Sequence, residues 1–446
     1  MLARLTGALG RAPSPMTTSN ELSASNPLPV ESARALIRRA IAPVTTIERV
    51  ALRTALGRVL AEDVESPIDV PAHDNAAMDG YAFDGSTLSV ASAVQVKPGP
   101  LTLAVAGEAR AGHPFDRVCP AGECVRIMTG APMPAGCDTV VPQEFVARSG
   151  ESIAFDVDRI ERGANCRRAG EDLARGQAAL AAGRVLRAAD LGLLASLGVA
   201  EVGVRRRLRA AFFSTGDELR SVGEPLESGC VYDSNRYTLY AMLMRMGVEA
   251  IDLGVVRDEP KALETALRAA ADSADVVLTS GGVSVGDADF TARMTQTFGD
   301  VAFWQLAMRP GRPLAFGRLW PGERGGNAHS ALFFGLPGNP VAVMVTFYQL
   351  VREALNAMSG ADTAPPLRFA AESSAPIRKR PGRTEFLRGV ATRDAAGKWR
   401  VTPTRSQGSG VLSSMSEANC FIVLAHEQGD IAAGAPVEIM PFDGLI

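Results

Sequence analysis

Between residues 208 and 360, short apolar runs alternate with stretches whose apolar residues recur every three or four positions. That is the pattern of stacked strand-helix-strand units around a parallel sheet. The runs at 210–214, 250–256, 275–279 and 331–336 read as strands, and 235–246, 260–271 and 340–358 as helices. Asn339 then falls at an N-cap and Pro340 at the first helical position. Upstream, Ala33, Ile37 and Ile41 recur at helical spacing, and an extended stretch follows through Arg58-Val59-Leu60. Residues 71–168 hold short apolar runs cut by Gly and Pro, as in Lys97-Pro98-Gly99-Pro100 and Ala131-Pro132-Met133-Pro134, which predicts a mostly β unit. In the connector that follows, 178–180 and 185–186 read as extended and 188–197 as a helix. From residue 365 onward, alternating Val, Ile and Phe with Gly turns (386–390, 399–401, 420–424, 437–440) predict a small all-β domain.

At 446 residues the chain is long enough for about three or four domains. Residues 1–29, rich in Ser, Thr, Asn and Pro, read as a disordered tail, with Met16 a candidate start. Net charge is -3, so no chain-wide basic field points to nucleic acid. Positive charge is almost all Arg, since Lys97, Lys261, Lys379 and Lys398 are the only lysines, and lysine chemistry is therefore not expected. The six cysteines show no C-x-x-C pair and no zinc-finger spacing, and read as reduced. Without a leader pattern or a ~20-residue apolar run, the expected location is cytoplasmic, away from membranes.

The chemistry concentrates in loops. Pro71-Ala72-His73-Asp74-Asn75-Ala76-Ala77-Met78-Asp79-Gly80-Tyr81 reads as a tight loop presenting Asp79, with Gly80 permitting positive φ; a plain polar turn explains it as well. In an open α/β sheet, ligands bind at the carboxyl ends of strands. There the sequence places Ser280-Gly281-Gly282-Val283-Ser284-Val285-Gly286, whose N–H groups can cradle an anion, and Pro337-Gly338-Asn339-Pro340 at a helix start. Asp258, Asp287 and Asp289 beside such cradles suggest Mg²⁺, a hard ion preferring oxygen ligands; solvated carboxylates are the alternative. Thr215-Gly216-Asp217-Glu218 follows the same logic, and Arg167, Arg168, Arg309 and Arg312 are matching donors for an oxyanion. His73, His113, His329 and His426 are isolated. The patterns G-x-x-x-x-G-K-[ST], G-x-S-x-G and H-E-x-x-H are absent, so ATPase, hydrolase and zincin readings lack support.

The 71–82 segment resembles the D-N-S-A-M-D-G-Y-A signature of the MoeA family, the molybdopterin molybdenumtransferases, with Ala76 in place of the usual Ser. Arg126-Ile127-Met128-Thr129-Gly130-Ala131-Pro132, Arg168-Ala169-Gly170-Glu171-Asp172, Ser214-Thr215-Gly216-Asp217-Glu218-Leu219, the Ser280–Gly286 loop and Gly335-Leu336-Pro337-Gly338-Asn339-Pro340 are similar to further family motifs. The resemblance runs from about residue 30 to 446. It implies a linker domain (30–70 and 170–207), a β-rich domain (71–169), an α/β molybdopterin-binding domain (208–362) and a C-terminal β-barrel (363–446). It implies a homodimer with a shared cleft, in which Asp79 and Thr129 of one chain meet Glu218, Asp258 and Asp289 of the other. Asp172 joins these catalytic candidates. The implied reaction inserts molybdenum from molybdate into adenylylated molybdopterin and releases AMP with Mg²⁺ assistance, and a molybdopterin adenylyltransferase is a candidate partner. Implied substrate-binding residues are Arg167, Arg168, Ser280, Gly281, Gly282, Ser284, Arg309, Arg312 and Pro337, Gly338, Asn339 and Pro340.

Three departures stand out. Gln305 occupies a usual lysine position, Ala169 stands where arginine is common, and Arg309 and Arg312 replace frequent lysines. An insertion near 321–329 predicts a longer surface hairpin. Alternative readings are a molybdopterin adenylyltransferase or nucleotide pyrophosphatase on the same α/β domain, against which Asp79 and Thr129 argue from outside it, and a gephyrin-like scaffold.

Overall fold

The computed structural model describes residues 27–89, 100–282, 299–322 and 329–443. Residues 1–26 of the expected tail lie outside the described residues, but its last residues are ordered: Leu28 bridges to Leu306, its N–H donating to the Gln305 carbonyl at 2.7 Å, because the segment continues into the α/β sheet edge. In the α/β unit, the strands Glu249–Val256, Arg209–Thr215, Val276–Ser280 and Ala331–Leu336 lie side by side and parallel. The sheet is mixed: Pro313–Leu319 and Gly299–Gln305 extend it as an antiparallel hairpin, where the sequence reading has only parallel strands. No helix lies between those two runs, and nothing in their own residues distinguishes a parallel from an antiparallel neighbour.

Both faces of this sheet are covered, which explains its unbroken apolar strands. Phe212, Leu278, Phe316 and Phe334 point to one side, against Leu239 and Leu243 of the helix Ser234–Arg245 and against Val341 and Phe347. Ala211, Phe213, Val277 and Phe333 point to the other, against Leu263 and Leu267 of the helix Pro260–Ser273. Each fully buried Leu, Val or Phe contributes about 1.5–3 kcal/mol. The helix Val30–Ala40 also joins the first layer through Val30, Ala33 and Ile37, and Arg34 bonds Gln349.

Residues 71–169 hold a six-stranded sheet in the order Thr139–Pro142, Gly80–Phe83, Glu123–Ile127, Leu101–Ala109, Ser152–Phe155, Val146–Ser149. At the C-terminus, Phe369–Ser373, Thr384–Arg393, Trp399–Pro403, Cys420–Leu424 and Pro436–Pro441 form a barrel closed by pairing of Thr384–Arg393 with Cys420–Leu424. Between these units, Ile47–Ala51 pairs with Glu201–Arg205 beside the helix Ala188–Ser196, over a core of Ala55, Leu60, Leu186, Leu194 and Val204.

One buried ion pair fastens this connector to the α/β sheet. Asp275 accepts two 2.7 Å bonds from Arg206 and one from the Arg209 N–H at 2.8 Å. Burial pushes the Asp275 carboxyl up, but the Arg206 guanidinium and the Arg209 N–H outweigh it and hold it below the ordinary range. A depressed carboxylate stabilises the fold fully above the unfolded value of about 4 and loses that contribution as pH falls through the folded value. Asp275→Asn is expected to cost about 2–3 kcal/mol, the scale of hydrogen bonds to charged groups. Thermal melts from pH 7 down to 3 should show the variant losing less stability with acid than the parent.

Candidate functional site

The 71–82 loop is held open by pairing on both sides. Asn75–Ala76 pairs with Cys166–Arg167, and Gly80–Phe83 sits between two strands of the β-rich sheet. Gly80 is not among the glycines with positive φ, contrary to the sequence expectation. It is glycine because a Cβ would lie 2.1 Å from the Val141 carbonyl oxygen. Asp79, just before it, accepts from the Thr129 N–H and the Thr129 hydroxyl, both at 2.7 Å and both on Oδ1. The Thr129 N–H first and its hydroxyl second hold the Asp79 carboxyl below the usual range. Asp79 is thus an anion throughout the neutral range and a weak proton acceptor, suited to holding charge rather than moving protons.

Asp74 holds the neighbouring segment by accepting from the Ala169 N–H at 2.8 Å and from Arg168 at 2.7 Å. The Ala169 departure leaves that backbone bond intact. Arg168 is therefore already paired, whereas the side chains of Arg167 and Asp172 are exposed.

On the α/β sheet, register brings the strand exits together: Thr215 faces Val256, Ser214 faces Ser280, and Ser280 faces Leu336. Gly281 has φ +94° and its Cβ would lie 2.4 Å from the Thr215 carbonyl oxygen, so only glycine lets the two exits approach so closely. Asp258 accepts a short bond from the Thr215 hydroxyl, and its N–H reaches Asp217 at 3.5 Å. Glu218 folds over Gly216, where a Cβ would meet its Oε2 at 2.6 Å. Pro337 is buried, Gly338 and Asn339 are exposed, and Pro340 opens the next helix. Asn339 occupies the N-cap position without a side-chain capping bond. Ser284, Asp287 and Asp289 lie outside the described residues. Neither Asp79 nor Thr129 shares a hydrogen bond or ion pair with the described sheet-edge residues of its own chain.

Three family descriptions match in sequence along the chain: MoeA N-terminal region (domain I and II) at 28–198, probable molybdopterin binding domain at 211–357, and MoeA C-terminal region (domain IV) at 370–442. A Haemophilus influenzae protein named molybdopterin molybdenumtransferase is 42% identical over 94% of this chain and 100% of its own length. The chain belongs to the MoeA family. A Bacillus subtilis protein of the same name is 32% identical over 88% of this chain and 89% of its own. The crystal structure of the molybdopterin biosynthesis moeA protein from Pyrococcus horikoshii OT3 superposes with a TM-score of 0.77 at 29% identity, covering 93% of this chain and 100% of that one. The MoeA fold expectation of a β-rich domain, a molybdopterin-binding sheet and a C-terminal barrel holds. The chain is a molybdopterin molybdenumtransferase, a transferase of molybdenum cofactor biosynthesis.

Two residues of this MoeA chain's edge escaped the sequence reading. Asn235, nine-tenths buried, donates to the Ser280 hydroxyl at 2.8 Å and to the Gly338 carbonyl at 2.6 Å, tying both loops together, and its Oδ1 has no partner. Its signal was the Asp233-Ser234-Asn235 run, in which Asp233 caps the helix by accepting from the Arg236 N–H. The second is Arg388 on the barrel, fully buried and bonded to Ser414 and to the carbonyls of Ser406 and Gly408, with one terminal nitrogen unpartnered. Burial, and secondly repulsion from Arg309, push its pKa down to about 10. The same barrel loop reaches the sheet edge, where the Val341 N–H donates to the Ser409 carbonyl at 3.0 Å. Arg309 is partly neutralised by buried Glu385 at 3.6 Å, while Arg312 is exposed.

For Mg²⁺, the donors at this edge are all oxygen: Thr215, Asp217, Glu218 and Asp258, a set of the right hardness. Among the described residues no three His, Cys, Asp or Glu side chains cluster closely enough to hold a metal ion, and of the three expected ligands only Asp258 lies within the described residues.

Proposed function

We propose that the chain inserts molybdenum from molybdate into adenylylated molybdopterin, with release of AMP, in a cleft shared between two copies. The observation that carries this reading is the meeting of three strand exits at one edge, where the glycine backbone of 281–282 faces Gly338 across Asn235 and carboxylates flank it. Cleavage of an anhydride calls for neutralised charge and orientation more than for a protein nucleophile. The Gly282 amide offers a donor to a phosphate oxygen, the Gly281 N–H being spent on the Leu336 carbonyl at 3.2 Å, while Ser280 and Asn235 keep the loops in register. Arg309 and Arg312 supply cationic donors for the oxyanion, and buried Arg388 adds positive charge behind Arg309. Mg²⁺ held by Asp258 with Asp287 and Asp289 would offset the phosphate charge at the carboxylates. Asp79, pinned by Thr129, supplies fixed negative charge from the partner chain.

Dimer formation has support in the surface. Tyr237, Tyr240 and Met244 form an i, i+3, i+7 stripe on the helix Ser234–Arg245 and remain 48%, 46% and 51% exposed, beside exposed Val231 and Tyr232. An apolar patch of this kind marks an interface. The deciding experiment incubates purified protein with adenylylated molybdopterin, with and without molybdate and Mg²⁺, following AMP and loaded cofactor together. Stoichiometric appearance of both only when molybdate and Mg²⁺ are present supports the reading; AMP release indifferent to molybdate, or to Mg²⁺, sinks the corresponding part.

Gln305 closes the Gly299–Gln305 strand opposite Pro313, on the hairpin that carries Arg309 and Arg312. Gln305→Lys restores a cation there and is expected to tighten molybdate or pterin-phosphate binding by roughly 10- to 150-fold, the ~1.5–3 kcal/mol of a charge-assisted bond. Molybdate titrations of AMP release at two salt concentrations check it, the gain being larger at low salt.

A further inference from the structure

A second basic site lies at the far end of the α/β sheet. There a cavity of about 770 Å³ opens between the connector (residues 56–59, 184–187 and 205–208) and the α/β domain (242–248 and 347–364). It adjoins Leu208, where the Arg209–Thr215 strand begins, whereas the candidate active edge begins at that strand's other end. Seven strand residues separate the two by roughly 20 Å. Eight arginines line the cavity against a single carboxylate, Asp362, in a chain whose net charge is -3.

Three of these arginines have carboxylate partners set back from the space: Arg58 with Glu48, Arg184 with Asp190, and Arg206 with Asp275. Others meet only neutral groups. Arg207 donates to the Gly247 carbonyl at 2.9 Å, and Arg205 to the Thr45 carbonyl at 3.3 Å. Arg245, in the last turn of its helix, has no side-chain hydrogen bond or ion pair among the described residues, and Arg187 shares with Arg184 the field of the one carboxylate Asp190. Like charges gathered in a concave, partly desolvated space repel one another, and natural surfaces hold such an arrangement where an anion relieves it. Guanidinium forks match phosphate oxygens bidentately, and the volume lies within the range of small-molecule sites.

We propose that this cavity binds an oligophosphate, a chain of condensed phosphates either free or carried by a nucleoside, separately from the catalytic edge. Its test uses the full chain and three probes: inorganic tripolyphosphate, ATP and AMP, each followed by calorimetry and by thermal melting at low and moderate salt. Tripolyphosphate and ATP should bind saturably and raise the melting temperature, more so at low salt, with AMP at least tenfold weaker. ATP tighter than tripolyphosphate identifies a nucleotide as the ligand, and equal affinities identify the condensed phosphate.

The Arg207→Gln/Arg245→Gln double variant should lose at least tenfold in affinity. Its melting temperature without ligand should equal or exceed that of the parent, because two repelling charges are gone, and its transfer activity should match the parent. Unchanged affinity in the double variant, absence of any saturable effect on the parent, or a lower melting temperature without ligand, which would mark these arginines as structural props, each overturns the proposal. So does a joint loss of binding and transfer, which would put the phosphates at the catalytic edge.

Discussion

Asp79→Asn should reduce molybdate-dependent AMP release by about 10²-fold or more, the usual cost of removing one electrostatic contributor from a preorganised site. The side chain stands on a loop fixed by strand pairing on both sides, and its contact is with Thr129 rather than a core. Asparagine keeps an oxygen for both Thr129 donors and loses only the charge, so the melt should stay cooperative and near that of the parent. Because Thr129 holds the carboxyl below its ordinary range, Asp79 is ionised at every pH from about 5 to 8. The parent's pH-rate profile should therefore carry no limb that disappears in Asp79→Asn. Glu218→Gln should show a loss of similar size. Single-turnover rates with adenylylated molybdopterin decide the matter, and parent-like turnover in either variant removes that residue from the chemistry.

Mixing the two inactive variants should restore activity. The two groups of candidates sit on separate sheets and share no direct bond within one chain, and an exposed aromatic stripe lies on the α/β domain. If each cleft takes Asp79 from one copy and Glu218 from the other, an Asp79→Asn/Glu218→Gln heterodimer holds one cleft with both lesions and one with neither. Verified heterodimers should then recover about half of the parental rate per dimer, a gain of tens of fold over either homodimer given the ~10² loss in each. Heterodimers that stay as inactive as their parents would place both residues in one chain's cleft. Tyr240→Glu, which buries a charge in the stripe, should push the protein toward monomer in sedimentation experiments and lower transfer in parallel.

Local pattern alone was enough for much of this protein. The apolar runs and helical spacing between 208 and 360 specify strands and helices because a doubly covered sheet tolerates no polar residue along its middle, as Val276, Val277 and Leu278 illustrate. The loop motifs, among them Met128-Thr129-Gly130-Ala131-Pro132, resembled a family that the match over 94% of the chain then established. Tertiary structure decided what depends on partners distant in the chain. Gly80 is required by the Val141 carbonyl 61 residues away rather than by its own dihedral. The hairpin Gly299–Gln305 with Pro313–Leu319 runs antiparallel because its short turn permits no crossover, a fact of connection rather than composition. Arg388 is an ordinary strand arginine until the 404–414 loop seals it, and the eight-arginine cavity gathers residues from five separate segments whose charges cancel in any sequence-wide sum. Periodicity is a short-range property and reports which face a residue presents; burial and electrostatic fields are sums over neighbours that only the folded chain assembles.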